Sequence, residues 1–212
     1  MSDFNARPVC YGNPEKSQPS RGKCGMTEEP KERLAVDGVP GYESEIGRMI
    51  WMLEDTRRQT KAGLDGLADD QLDWTPPSAA NSESNSIGAL LYHIAVIEAD
   101  WLYVEVLEAE SFPPEVMNLF PDDVRDDGGH LAVAHGGSLD GHLLRLDAVR
   151  DRVLAAFRGM SLTEFRRERN LPDYTVTPEW VLHHLIQHEV EHRGEIGMLR
   201  ILMAAQRETA GD

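Results

Sequence analysis

The chain has 212 residues and a formal net charge of −16, enough length for one domain with a sizeable core. A surface this acidic is repelled by a phosphate backbone, which argues against nucleic acid as a partner. No run approaches 18 apolar residues, and the first 25 residues hold no apolar stretch like that of a signal peptide. A cytoplasmic protein without a membrane span is therefore expected.

Residues 1–40 are rich in Pro, Gly, Ser and charge and show no apolar period. They read as a flexible arm ahead of a domain over 41–212. The arm balances six basic against six acidic residues, so the whole −16 belongs to the domain. Both cysteines, Cys10 and Cys24, lie in the arm and form neither a disulfide framework nor a Cys-x-x-Cys pair.

A first helical pattern spans about Glu43 to Leu67, with Ile46, Met49, Ile50 and Leu53 on one face. A turn follows at Asp73-Trp74-Thr75-Pro76-Pro77. The second helix starts near Ser86, a good N-cap, and carries Ile87, Leu90, Leu91, Ile94, Ile97, Trp101 and Val104 at helical spacing. Residues 111–137, with Pro113, Pro114, Pro121 and four glycines, form a long connection. The third helix begins near Ser138 and shows Leu139, Leu143, Leu146, Val149, Val153 and Phe157. The fourth begins at Thr177-Pro178, with a capping Thr and a first-turn Pro, and runs through Leu185, His188, His192, Ile196 and Met203. No alternating β-branched run of useful length appears. Four amphipathic helices with one long crossover predict an all-α four-helix bundle.

Residues four apart lie on one helix face, so His188 and His192 continue the apolar stripe between Leu185 and Ile196 and point into the core. Two stacked inward imidazoles both need polar partners, which a shared metal ion supplies. His93, between Leu90 and Ile97 on the second helix, is the candidate third ligand from a facing helix. Three protein ligands leave a coordination position open, the pattern of catalytic rather than structural zinc. His184, one turn before His188, reads as a buried polar neighbour first, with a fourth ligand or a hydrogen-bond donor behind a ligand as alternatives. His183 reads as exposed, and His130, His135 and His142 as surface histidines in or near the crossover.

The letters His188-Glu189-Val190-Glu191-His192 also spell the His-Glu-x-x-His motif of zinc proteases, with Glu189 as general base. The extended form needs Gly and His at positions occupied by Glu195 and Met198. No strand is evident to hold an extended peptide, and too little chain follows for a further ligand helix. A di-iron bundle needs a second Glu-x-x-His, which the chain lacks.

Three stretches resemble the DinB/YfiT-like family of metal-binding four-helix bundles. They are Leu67-Ala68-Asp69-Asp70-Gln71-Leu72-Asp73-Trp74, the run Ser86 to Ala95 continuing to Glu98 and Trp101, and His184-x3-His188-x3-His192-Arg193-Gly194-Glu195-Ile196. Glu195 departs from the Gln usual in that last motif. The resemblance covers about residues 42–206. It implies up-down-down-up connectivity and one metal held by His93, His188 and His192. Characterised relatives are thiol S-transferases using bacillithiol or mycothiol, and a mycothiol-dependent isomerase. The isomerase branch tends to replace one His ligand by a carboxylate, whereas position 188 here is His.

The expected function is a metal-dependent S-transferase. A divalent ion, Zn²⁺ first with Ni, Fe or Mn as alternatives, lowers the pKa of a low-molecular-weight thiol. The partners expected are that thiol and a small electrophile. Glu189 is the candidate catalytic residue, and either it or Glu98 is expected to orient a ligand imidazole. Arg193 is the candidate for a cofactor carboxylate. The rival is a non-catalytic metal-stabilised bundle with a stress-response or assembly role. Apolar faces left exposed on a bundle often pair, which makes a homodimer a candidate assembly.

Overall fold

The computed structural model describes residues 33–77, 85–121, 131 and 137–210. Most of the expected arm, including Cys10 and Cys24, lies outside the described residues, as do His130 and His135. Ala35–Asp212 forms one unit.

Helix α1 covers Ser44–Ala62 and buries Ile46, Ile50 and Leu53. It stops short of the expected Leu67 in a turn that contains Gly66 at φ +74, a conformation free of Cβ strain only for glycine. Near its start, a Cβ on Gly47 would lie 3.0 Å from the Val39 backbone, so a larger residue would push the leading segment off the helix.

Helix α2 covers Ile87–Asp100, and Ser86 Oγ accepts the Ala89 N–H at 3.2 Å. The chain does not continue as α-helix through Val104. It widens into a π-helical stretch over Trp101–Val106, where the Leu107 N–H donates to the Leu102 carbonyl at 2.9 Å. From Ile87 to Val106 the segment is long and apolar enough to cross a membrane, yet 78% of that window is buried inside the bundle. Its apolar character is therefore accounted for by the core.

Short helix α3, Pro114–Met117, follows. Helix α4, Leu139–Phe157, is capped by Ser138 Oγ on the Gly141 N–H at 3.1 Å. Then come α5, Leu162–Phe165, and an unexpected hairpin. In it β1, Arg169–Asn170, pairs antiparallel with β2, Thr175–Val176, with Arg169 opposite Val176. Strands of two residues are too short to carry a readable alternation. Helix α6, Pro178–Ala210, is the longest element described, and Thr177 Oγ1 accepts the Trp180 N–H at its start.

Side-chain pairs fix the helix directions. Glu54 meets Arg150 while Lys61 meets Asp147, so α1 and α4 run antiparallel. Arg57 meets Glu189, and Arg200 caps the Gly63 and Asp65 carbonyls, so α1 and α6 run parallel. His93 meets His188 while Trp101 meets Trp180, making α2 and α6 antiparallel. His142 sits by Gly88 and Arg150 by Glu98, making α2 and α4 parallel. The order is up-down-down-up, and the parallel α2–α4 step needs the long crossover because antiparallel neighbours alone can be joined by a short loop.

The core is split in two. One apolar cluster gathers Ile46, Ile50 and Leu53 with Val149, Val153, Phe157, Val181 and Leu185. The other gathers Leu64 and Leu67 with Leu90, Ile94, Leu146, Ile196 and Leu199. Between them lies a buried polar layer containing Arg57, His93, Glu98, Arg150 and Glu189. This layer positions the site.

Candidate metal centre

Within the polar layer, three imidazoles from two helices face one point. His188 Nε2 lies 3.2 Å from His93 Nε2 and 3.1 Å from His192 Nε2. The three potential ligand atoms all fall within 4.8 Å of one another. His93 is 6% exposed, and the other two are partly buried. Burial pushes His188 down to about 3, helped by the neighbouring His192, His93 and His184, so it is neutral at ordinary pH, the form that ligates.

The donor set fits a divalent cation. Three neutral imidazoles cannot satisfy one another through three converging Nε2 atoms, because each ring offers one donor and one acceptor nitrogen. A cation at the centre takes all three lone pairs. Zinc–imidazole bonds of about 2.0–2.1 Å set tetrahedral nitrogens roughly 3.3 Å apart, close to the separations found. Imidazole also suits copper, iron and nickel, so the donors admit several first-row metals.

A carboxylate stands behind one ligand. Glu195 Oε1 lies 3.3 Å from His192 Nδ1, although the contact does not meet hydrogen-bond geometry. Carboxylates behind ligating imidazoles orient the ring and raise its basicity. Glu195 was legible only as a departure from a family motif. Its i, i+3 step from His192 is the signal that places it.

Glu189 and Glu98, the two carboxylates expected to orient a ligand imidazole, bond elsewhere in the layer. Each of the four long helices contributes one buried charge to a quartet, and the half-exposed Glu54 accepts a further bond from Arg150 at 2.9 Å. Arg57 donates from Nε to Glu189 Oε1 at 2.8 Å and from Nη2 to Glu98 Oε2 at 2.6 Å. Arg150 donates to Glu98 Oε1 at 2.5 Å and to Glu189 Oε2 at 3.0 Å. All four side chains are at most 5% exposed. Burial alone pushes Glu98 up, but the Arg150 and Arg57 charges together hold it below the usual carboxylate range. Both Glu189 oxygens are engaged by guanidinium groups, which locks α6 in register against α1 and α4 one residue from a ligand.

Arg193 is partly buried and lies within electrostatic reach of Asp55 on α1. Its Nη1 is buried without a hydrogen-bond partner among the described residues. His184 does not join the nitrogen trio. Its ring stacks on Trp180 at 5.0 Å and lies 5.9 Å from His188. His183 is exposed, as expected. His142 is not a surface residue. It is 2% exposed on α4, where Arg145 Nη1 approaches its Nδ1 at 3.2 Å.

A comparison with curated proteins finds none that matches. The family model described as the DinB superfamily matches residues 52–196, more than half of the chain. That span takes in His93, His188, His192 and Glu195, together with all four members of the quartet. With the all-α bundle and its histidine trio, this match places the chain in the DinB superfamily.

Proposed function

We propose that this DinB-superfamily bundle is a metal-dependent S-transferase acting on a low-molecular-weight thiol and a small electrophile. The observation that carries the reading is the number of ligands: three imidazoles converge, and no fourth His, Cys, Asp or Glu joins them among the described residues. An open site of this kind favours reactivity over a purely structural role. A divalent cation bound there supplies Lewis acidity that lowers the pKa of a thiol.

In the proposed reaction the thiol sulfur forms a bond to an electrophilic carbon, the leaving group departs with its electron pair, and the thiol proton is released. His93, His188 and His192 would hold the cation, with Glu195 3.3 Å behind the ring of His192. His184 is partly exposed beside the trio and burial lowers its pKa, so it is neutral and is assigned to take up the proton. Arg193 is assigned to an acidic portion of the thiol, on the strength of its buried unpaired Nη1. Glu189 acts in this scheme through His188, as the positioning member of the quartet.

The test is elemental analysis of purified protein followed by a thiol-conjugation screen with and without the metal found. Metal-dependent thiol consumption is the expected result. A stoichiometric metal with four protein ligands and no thiol turnover would sink the transferase reading in favour of a metal-stabilised bundle.

A further inference from the structure

A second site lies on the α2/α6 seam, beyond the trio. Trp101, eight residues and about 12 Å along the helix from His93, meets Trp180 with ring centroids 5.2 Å apart and Tyr174 at 6.2 Å. These rings, with Glu168, Thr175 and Thr177, line a cleft of about 520 Å³, a size typical of small-molecule sites. Trp180 is 46% and Tyr174 45% exposed, while the half-buried Trp101 and one face of Trp180 pack on His184, at 4.5 and 5.0 Å. Trp101 opens the π-helical stretch of the α2 continuation. Such wide turns cost hydrogen-bond geometry and recur at functional sites.

The charge around the rings is negative. Glu168 is the charged residue of the cleft lining. Behind Tyr174, the buried Glu105 accepts the phenol hydrogen bond at 2.6 Å through Oε1. Its Oε2 is buried with no hydrogen-bond partner among the described residues. That bond, with burial, pushes the phenol up to about 12, so Tyr174 presents a neutral, electron-rich ring. Burial raises Glu105, and Asp100 nearby adds to that rise and to the one of Tyr174. Two influences oppose this negative charge, Arg166, whose Nε donates to Glu179 Oε2 at 3.4 Å, and the N-terminus of α6, which favours anions. Thr177 takes up its Trp180 N–H, and Glu179 stands in its first turn.

We propose that this cleft binds a small organic cation, an ammonium or methylated ammonium group, against the Trp101, Trp180 and Tyr174 faces. Indole is the best of the aromatic cation acceptors, and methylated ammonium groups bind in such aromatic sites. The carboxylates select cation over anion. The site stands whether or not the neighbouring trio performs thiol transfer.

The test uses the full-length protein as purified, titrated with choline, with its uncharged carbon isostere 3,3-dimethylbutan-1-ol, and with the anion 3,3-dimethylbutanoate. Calorimetry and tryptophan fluorescence are the readouts. Choline is expected to bind roughly tenfold more tightly than the isostere, with no saturable binding of the anion. Trp180→Leu, at an exposed position that keeps the fold, is expected to weaken choline roughly tenfold at an unchanged melting temperature. Glu168→Gln is expected to weaken it a few-fold and flatten its salt dependence. His188→Ala should leave choline affinity intact while removing metal, which separates this site from the metal centre. Equal affinity for the uncharged isostere, preference for the anion, absence of choline binding at about 10 mM, or full affinity in Trp180→Leu overturns the proposal.

Discussion

Replacing Glu189 by Gln separates a structural carboxylate from a reacting one. The substitution keeps shape but removes the charge facing Arg57 Nε at 2.8 Å and Arg150 Nη2 at 3.0 Å. It also turns an amide donor toward one of two guanidinium groups that need acceptors. Breaking a buried ion pair by removing one partner costs about 3–5 kcal/mol, a large part of the 5–15 kcal/mol that typically holds a domain together. For a chain of this size that loss lowers the melting temperature by roughly 6–20 °C. Urea unfolding followed by circular dichroism, with a thermal melt and a metal assay on the same sample, measures it. The double variant Arg150→Met with Glu189→Leu leaves the neutral Arg57–Glu98 pair and is expected to regain most of the lost stability. A Glu189→Gln protein that melts within about 2 °C of wild type but loses metal-dependent turnover would refute the structural assignment and return Glu189 to the chemistry.

Three further outcomes concern the metal centre and the buried His142. His93→Ala removes the ligand supplied by α2 and should abolish stoichiometric metal by elemental analysis, while His142→Asn, outside the trio, should retain it. Glu195→Ala should weaken metal binding roughly 10–100-fold in a chelator competition, the usual cost of losing the carboxylate behind a ligating imidazole; unchanged affinity removes Glu195 from the site. Burial, aided by the Arg145 charge, pushes His142 from 6.5 down to about 4. The unfolded chain therefore takes up a proton first as pH falls. Stability from this residue is full above pH 6.5 and is lost down to about pH 4, by at most about 3 kcal/mol. A urea series across that range should be flatter in His142→Asn, and an identical slope contradicts the assignment.

The four long helices were legible because apolar residues recur at helical spacing and because Ser86, Ser138 and Thr177 mark three starts. The quartet was not, because a lone Arg or Glu in a helix ordinarily reads as solvated surface. Its trace is nonetheless there. Arg57 follows Leu53 on the α1 stripe, Arg150 lies between Leu146 and Val153, Glu98 precedes Leu102, and Glu189 follows Leu185. Each interrupts an apolar face, and the four charges sum to zero, as a buried set must. The π-helical turn and the short hairpin left no such trace, since neither spans a full period of any pattern.

Local sequence, then, decides what each helix is and which side it buries, because periodicity and caps act over a few residues. It also places His188 and His192 on one face, since a single turn of helix does that unaided. What completes them is a matter of packing. His93 is 95 residues away and reaches the pair only because α2 runs antiparallel to α6. The fate of Glu189 was decided in the same way. One residue from a ligand in the chain, it is turned by the helix toward α1 and α4, where two arginines hold it.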